Sequence, residues 1–180
     1  MKLADFVISE AIIPDLQAGT TEEAIREMVN ALCAAGCVGE ADREDVIQAI
    51  LHREGLGTTG AGKGVAFPEA RHRAAPRMLG TVALSRGGVG FDATDGGPVH
   101  ILFLVVSPPS RPADFLQAEE IISRLLLRND DFRDRLRRAG TREEIVGLLA
   151  EADRDSSWKA DIDAHWEPIR ASLRQDRPPA

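Results

Sequence analysis

The stretch Val99 to Ser107 is apolar on both of its alternating sets of positions. A strand points successive side chains to opposite faces, so a run with no polar side must be covered above and below. That requirement excludes a one-sided sheet at this point and calls for helices on both faces, which means an α/β fold.

Helical patterns lie on either side of this strand. Thr20-Thr21-Glu22-Glu23 reads as a capping box, in which the Thr hydroxyl accepts from an orphan N–H and the Glu reaches back. Behind it Ala24, Ile25, Met28, Val29 and Leu32 recur at the spacing of one buried helix face, and Gly36 stops the pattern. A second helix is predicted from about Asp42 to Glu54, with Val46, Ile47, Ile50 and Leu51 on its apolar stripe. The residues before the first helix, Leu3 to Leu16, are mixed, and Ile12-Ile13 marks the edge of a short strand. Two further strand candidates precede the central one: the short Val65-Ala66-Phe67 segment and Met78 to Leu84, with a Gly- and Asp-rich loop at 87–97. After Pro108-Pro109 the chain reads as helical, over Ala113 to Arg128, Asn129 to Arg138, and from a second capping box at Thr141-Arg142-Glu143-Glu144 through Leu149. Residues 1–150 are therefore expected as one domain, followed by a helical or partly disordered extension over 151–180. In it Trp158, Ile162, Trp166 and Ile169 recur at roughly helical spacing, and the end from Gln175 is expected to be disordered.

Charge and composition narrow the function classes. A formal net charge of -7 argues against nucleic acid, whose phosphates are held mainly by Lys and Arg. The longest apolar run is too short for the roughly 20 residues of a membrane-spanning helix, and the N-terminus lacks the pattern of a signal peptide. Cys33 and Cys37 have no spacing or neighbouring His that completes a metal ligand set, so free thiols in a reducing cytoplasm are expected, with no metal and no cofactor. Gly57 to Gly64 comes within one residue of a P-loop. Its last position is Gly64 where a Ser or Thr should hold Mg²⁺, and the stretch follows a helix and enters a strand, the reverse of a P-loop.

The run Arg53-Glu54-Gly55-Leu56-Gly57-Thr58-Thr59-Gly60-Ala61-Gly62-Lys63-Gly64-Val65-Ala66-Phe67-Pro68 resembles the active-site segment of phosphotransferase-system IIA domains of the fructose, mannitol and nitrogen-regulatory class, the type-2 EIIA proteins. Gly88-Val89-Gly90-Phe91, Asp95-Gly96-Gly97-Pro98-Val99 and the strand from Ile101 to Val106 keep that family's order, over about residues 3–150. The resemblance implies a mixed β-sheet flanked by helices, five-stranded or similar. It also implies phosphoryl relay from the carrier HPr through a histidine after the proline, helped by a second histidine on the following long helix. Here those two positions hold Glu69 and Phe115, while Arg53 matches a family arginine near the phosphorylation site. Thr58, Thr59 and Arg71 complete the expected phosphate- or partner-binding set.

A carboxylate repels an incoming phosphoryl dianion, and an acyl phosphate needs a metal and an acidic cluster to manage its charge. The favoured expectation is a regulatory, cytoplasmic IIA-like protein that lacks the usual phosphohistidine and meets an HPr-like phosphocarrier or a regulated protein partner. Glu69 is then a fixed negative charge beside Arg53. One alternative is an active phosphocarrier using His72. Three extended residues span up to about 10 Å, so His72 reaches the site only if the loop folds back; Arg71 and Arg73 would then attract phosphate. Another alternative is a protein-interaction module with no phosphate chemistry. His52 suits a helix C-terminus, His100 lies in the buried strand, and His165 lies beside Trp166. Glu69 is expected at the rim of a shallow depression near Arg53, with Phe115 on the facing helix.

Overall fold

The computed structural model describes residues 1–155 together with Ala164. The expected helix over 155–172, the C-terminal end and His165 otherwise lie outside the described residues. Among the described residues, strands β1 (Gly60–Gly62), β2 (Val65–Ala66), β3 (Glu69–Arg71), β4 (Leu79–Val89) and β5 (Val99–Ser107) form one five-stranded sheet. β5 is central, as its two apolar faces require. On one side it pairs parallel with β2 and then with β3, which are two pieces of one line of chain interrupted at Phe67-Pro68. On the other side it pairs antiparallel with β4, and β1 adds to β2 as an edge. The sheet is therefore mixed. Bridges from Val7, Ile13 and Thr20 run the N-terminal segment along β4, which places Ile13 at the short strand contact foreseen for Ile12-Ile13.

Helices α1 (Thr21–Ala34) and α2 (Arg43–Gly55) cover one face of the sheet. Both residues of the first capping box act as expected: the Thr20 hydroxyl accepts from the Glu23 N–H, and the Glu23 carboxylate from the Thr20 N–H. The apolar side of these helices packs on Ala66, Ala70, Ala83, Leu102, Leu104 and Val106. Helices α3 (Pro112–Ser123), α4 (Asp130–Arg138) and α5 (Arg142–Arg154) cover the other face, over Val82, Leu84, Ile101, Phe103 and Val105. Residues of β5 alternate between these two cores from Ile101 to Val106, the pattern of period two that a strand imposes. Gly80 in β4 has a packing reason, because an added Cβ would meet Phe6 Cδ2 at 2.9 Å.

The structure adds the short strands β1 and β3 to those expected, and it differs along β4 and in the C-terminal helices. β4 extends to Val89, so part of the expected 87–97 loop is strand, made possible by a break in register with β5 between Leu84 and Val89. The helix expected over Ala113 to Arg128 is α3 followed by a π-helical turn, Arg124–Arg128, and Asn129 then caps α4 through its side chain. Helix α5 continues past Leu149, and Asp153 in it accepts from the Leu3 and Ala4 N–H groups at 2.8 and 2.9 Å, pinning the N-terminus.

The near-P-loop segment forms the end of α2, a turn, and the β1–β2 hairpin. Gly62, Lys63 and Gly64 all have positive φ, a run that glycines tolerate and that curls the chain back on itself. The Lys63 ammonium turns away from any phosphate cradle and donates to the Leu127 carbonyl at 2.8 Å, at the end of the π-helical turn.

Candidate functional site

Strand β3 sets up the site. Its period of two buries Ala70 under α1 and α2 and leaves Glu69 and Arg71 on the opposite face, toward α3. Pro68 has no N–H to give, yet its carbonyl accepts from Val105, so the backbone holds the sheet line through the interruption and delivers Glu69 in register opposite Val105.

Arg53 comes from the last turn of α2 and meets Glu69 across the site, Nε to Oε1 at 2.8 Å. Arg53 also donates from Nη1 to the Gly57 carbonyl at 3.0 Å. The Glu69 side chain is 15% exposed, deeper than the rim position expected. Burial pushes its carboxyl above the ordinary glutamate range; the Arg53 charge pulls it back, and the Glu119 carboxylate pushes it up again.

The glycine-rich turn is held by a residue to which the sequence reading gave no role. Glu54 accepts from the Thr59 N–H and from the Thr59 hydroxyl, both at 2.6 Å. The Thr58 hydroxyl donates to the Phe91 carbonyl and accepts from the Gly60 N–H. Both threonines expected to handle phosphate thus spend their hydroxyls on the turn itself. The sequence signal for Glu54 is its place: a carboxylate ending a helix just before a turn full of free N–H groups.

A cavity of about 190 Å³ opens here, with Arg53, Thr58, Thr59, Glu69, Phe115 and Glu119 among its lining. Phe67, Phe103, Val105 and Ile122 supply apolar wall. Phe115 stands on α3 facing Glu69, and the Arg71 guanidinium lies 5.3 Å from its ring centroid, a cation–π contact. Glu119, one helical turn beyond Phe115, was not singled out in the sequence, though its i+4 spacing places it on the same face.

The histidines are distributed differently. His72 follows β3 by one residue, gives its backbone N–H to the Ser107 carbonyl, and accepts at Nδ1 from the Ala74 N–H. It is absent from the lining of the cavity that holds Glu69. His52 borders an adjoining hollow shared with Arg53, Glu69, Arg71 and Phe115. His100 Nδ1 lies 2.9 Å from the Ser85 carbonyl, an arrangement in which the ring donates. Cys33 and Cys37 are free and half-buried, and no His, Cys, Asp and Glu group among the described residues has the arrangement of a metal site.

Residues 5–152 match the family described as the phosphoenolpyruvate-dependent sugar phosphotransferase system, EIIA 2. The chain belongs to this family. A nitrogen regulatory protein of Bradyrhizobium diazoefficiens is 35% identical over 150 residues, which is 83% of this chain and 95% of the relative. The crystal structure of nitrogen regulatory protein IIA-Ntr from Neisseria meningitidis superimposes with a TM-score of 0.71 at 28% identity, covering 82% of this chain and 98% of that one. Enzyme IIA mannitol from Escherichia coli, solved in complex with phosphorylated enzyme IIB, shares the fold, with a TM-score of 0.65 at 23% identity over 79% of this chain and 95% of that one. This is a type-2 EIIA protein of the phosphotransferase system, with relatives named for nitrogen regulation. Among its described residues no helix is long and apolar enough to cross a membrane.

Proposed function

We propose that this EIIA protein acts in the cytoplasm as a regulator that docks a phosphotransferase-system partner without relaying phosphate through a phosphohistidine. The observation that carries the reading is the Arg53–Glu69 ion pair at 2.8 Å. The position that the family resemblance assigns to the nucleophile holds a carboxylate, and the nearest guanidinium is already committed to it. A phosphoryl group arriving there meets the charge of Glu69 and of Glu119 and finds no imidazole on the cavity wall. Phe115 offers no hydrogen bond to its oxygens. The Glu69–Arg53 pair stands in for the phosphorylated state imperfectly, because phosphate carries more charge and more acceptor oxygens.

The partner is an HPr-like phosphocarrier or a regulated protein, and the mannitol relative solved with phosphorylated IIB supports a protein partner at this fold. The working domain runs through the end of α5 at Arg154, whose Asp153 ties it to the N-terminus.

Restoring the missing groups tests this reading. Glu69→His incubated with phosphoenolpyruvate, enzyme I and HPr is expected to take up weak, acid-labile label, detected by intact mass. Glu69→His with Phe115→His is expected to take up more, because the second imidazole gives the phosphoryl oxygens a donor. A folded double variant that stays unlabelled would show that these two positions are not what stops the relay.

A further inference from the structure

An open groove of about 540 Å³ runs between α4 and α5, with Ala139, Gly147 and Leu148 as its apolar part and Arg138 and Glu144 among its charged edges. Gly147 stands in the middle of α5, and glycine weakens a helix interior relative to alanine. Nothing lies within 4 Å of a Cβ added at Gly147, and its φ is not positive. The described residues therefore give neither a packing nor a backbone reason for this glycine. It leaves a strip of bare backbone that a bulky side chain from another helix can approach closely. Val146 beside it is 37% exposed, and the other large apolar side chains exposed among the described residues, Leu56 and Leu116, belong to the end of α2 and to α3.

The chain beyond α5 has the pattern and the length to cover this strip. Trp158, Ile162 and Trp166 recur at helical spacing, and Pro168 closes the run, since proline lacks the N–H and the room that a helix interior needs. Ala164 is helical and exposed. At about 100° per residue, the positions two before and two after it lie on the far side of a helix, and these are Ile162 and Trp166. A helix from Trp158 to Glu167 rises about 14 Å, and α5 from Glu144 to Arg154 rises about 15 Å. Asp155, Ser156 and Ser157 suffice for the short loop of an antiparallel helix pair. In such a pair the acidic Asp163 and Glu167 come to the end of the groove that holds Arg138.

We propose that residues 157–167 fold back as a helix antiparallel to α5 and seat Trp158, Ile162 and Trp166 in the α4–α5 groove over Gly147. The occupant is this chain's own tail, which emerges from α5 within one loop length of the groove. The inference is independent of the chemistry at Glu69, because no residue of α4 or α5 lines the cavity there.

Trp158 and Trp166 are the only tryptophans and the chain has no tyrosine, so indole fluorescence of the full chain reports on this segment alone. The native emission is expected to lie to the blue of the same chain in denaturant, with several-fold weaker quenching by acrylamide. Gly147→Gln puts a longer side chain in the groove at an exposed helix position, where glutamine is a better helix former than glycine, so the fold is kept. Its emission and quenching should move to those of the denatured chain, while far-UV circular dichroism keeps the signal of α1 to α5. In the unaltered protein, nuclear Overhauser contacts should join the indole rings to the Leu148 methyls. Native emission already at the denatured position overturns the proposal, and so does the absence of those contacts. Protection that survives Gly147→Gln puts the tail on another surface, such as the hollow beside Met1 and Met78, and overturns it too. Protection that is lost on dilution assigns the groove to the tail of a second copy, which is equally contrary. Phosphoryl label on the unaltered protein bears on the function proposed above and leaves this inference standing, so the two fail separately.

Discussion

The two faces of the sheet are built to different standards. Under α1 and α2, the strands present Ala70, Ala83, Leu102, Leu104 and Val106 to a close-packed aliphatic core. Under α3, the same strands carry Glu69, Phe103 and Val105, and the packing leaves a cavity lined by two carboxylates and three phenylalanines. A gap of that size forfeits dispersion contacts along its whole lining. The contrast teaches where stability and function divide in this chain. Both faces carry a buried core, and only the α3 side also holds a charged cavity at its edge.

The largest expected effect separates the faces by substitution. Leu102→Ala, fully buried on the α1–α2 side, should cost about 2–5 kcal/mol in denaturant unfolding. Phe115→Ala removes a larger side chain, yet it should cost less than the ~3–5 kcal/mol usual for a buried phenylalanine, because part of its surround is already empty. A Phe115→Ala penalty exceeding that of Leu102→Ala would break the comparison.

A smaller effect is expected at the turn that borders the cavity. Glu54→Ala removes two 2.6 Å bonds to Thr59 and should cost about 1–3 kcal/mol, with faster hydrogen exchange of the Thr59 and Gly60 amides. Unchanged exchange there would mean that the turn is held by other contacts.

The smallest effect is electrostatic and has a definite sign. Burial raises the Glu69 carboxyl above its ordinary value of 4.5, so the folded state holds that proton more tightly than the unfolded chain does. Its contribution to stability is present in full below 4.5 and is lost as pH rises through the folded value. Glu69→Gln removes this dependence. Compared with the unaltered protein, the variant should gain relative stability as pH rises from 4.5 through the folded value. The opposite slope would mean that Arg53 outweighs burial at this site.

Much of this architecture was legible because it rests on periodicity. The two-sided apolar run of β5 demanded helices above and below, and both capping boxes formed as read. Strands β1 and β3 escaped because three residues carry no measurable period, and because glycine gives most of β1 no side chain to pattern. The π-helical turn was hidden for a different reason: its leucines continue the apolar stripe of α3, so only the backbone reveals the change. At the site, Arg53, Glu69 and Phe115 were singled out from resemblance to a family motif, and the fold brings them together. Glu54 and Glu119 were not singled out for the site, since one acts through a turn and the other only through the face it shares with Phe115. His72 lies only three residues from Glu69, but closeness in sequence did not bring it into the same cavity.

Whether the unaltered protein carries phosphate is read directly by one measurement. The full chain is incubated with phosphoenolpyruvate, enzyme I and HPr, and its intact mass is read before and after acid treatment, beside His72→Ala. No phosphoryl group is expected to be added to either protein. Acid-labile label that disappears in His72→Ala would contradict that expectation and make His72 the phosphocarrier; label that survives that substitution would contradict it equally and direct the search to His52, His100 or His165.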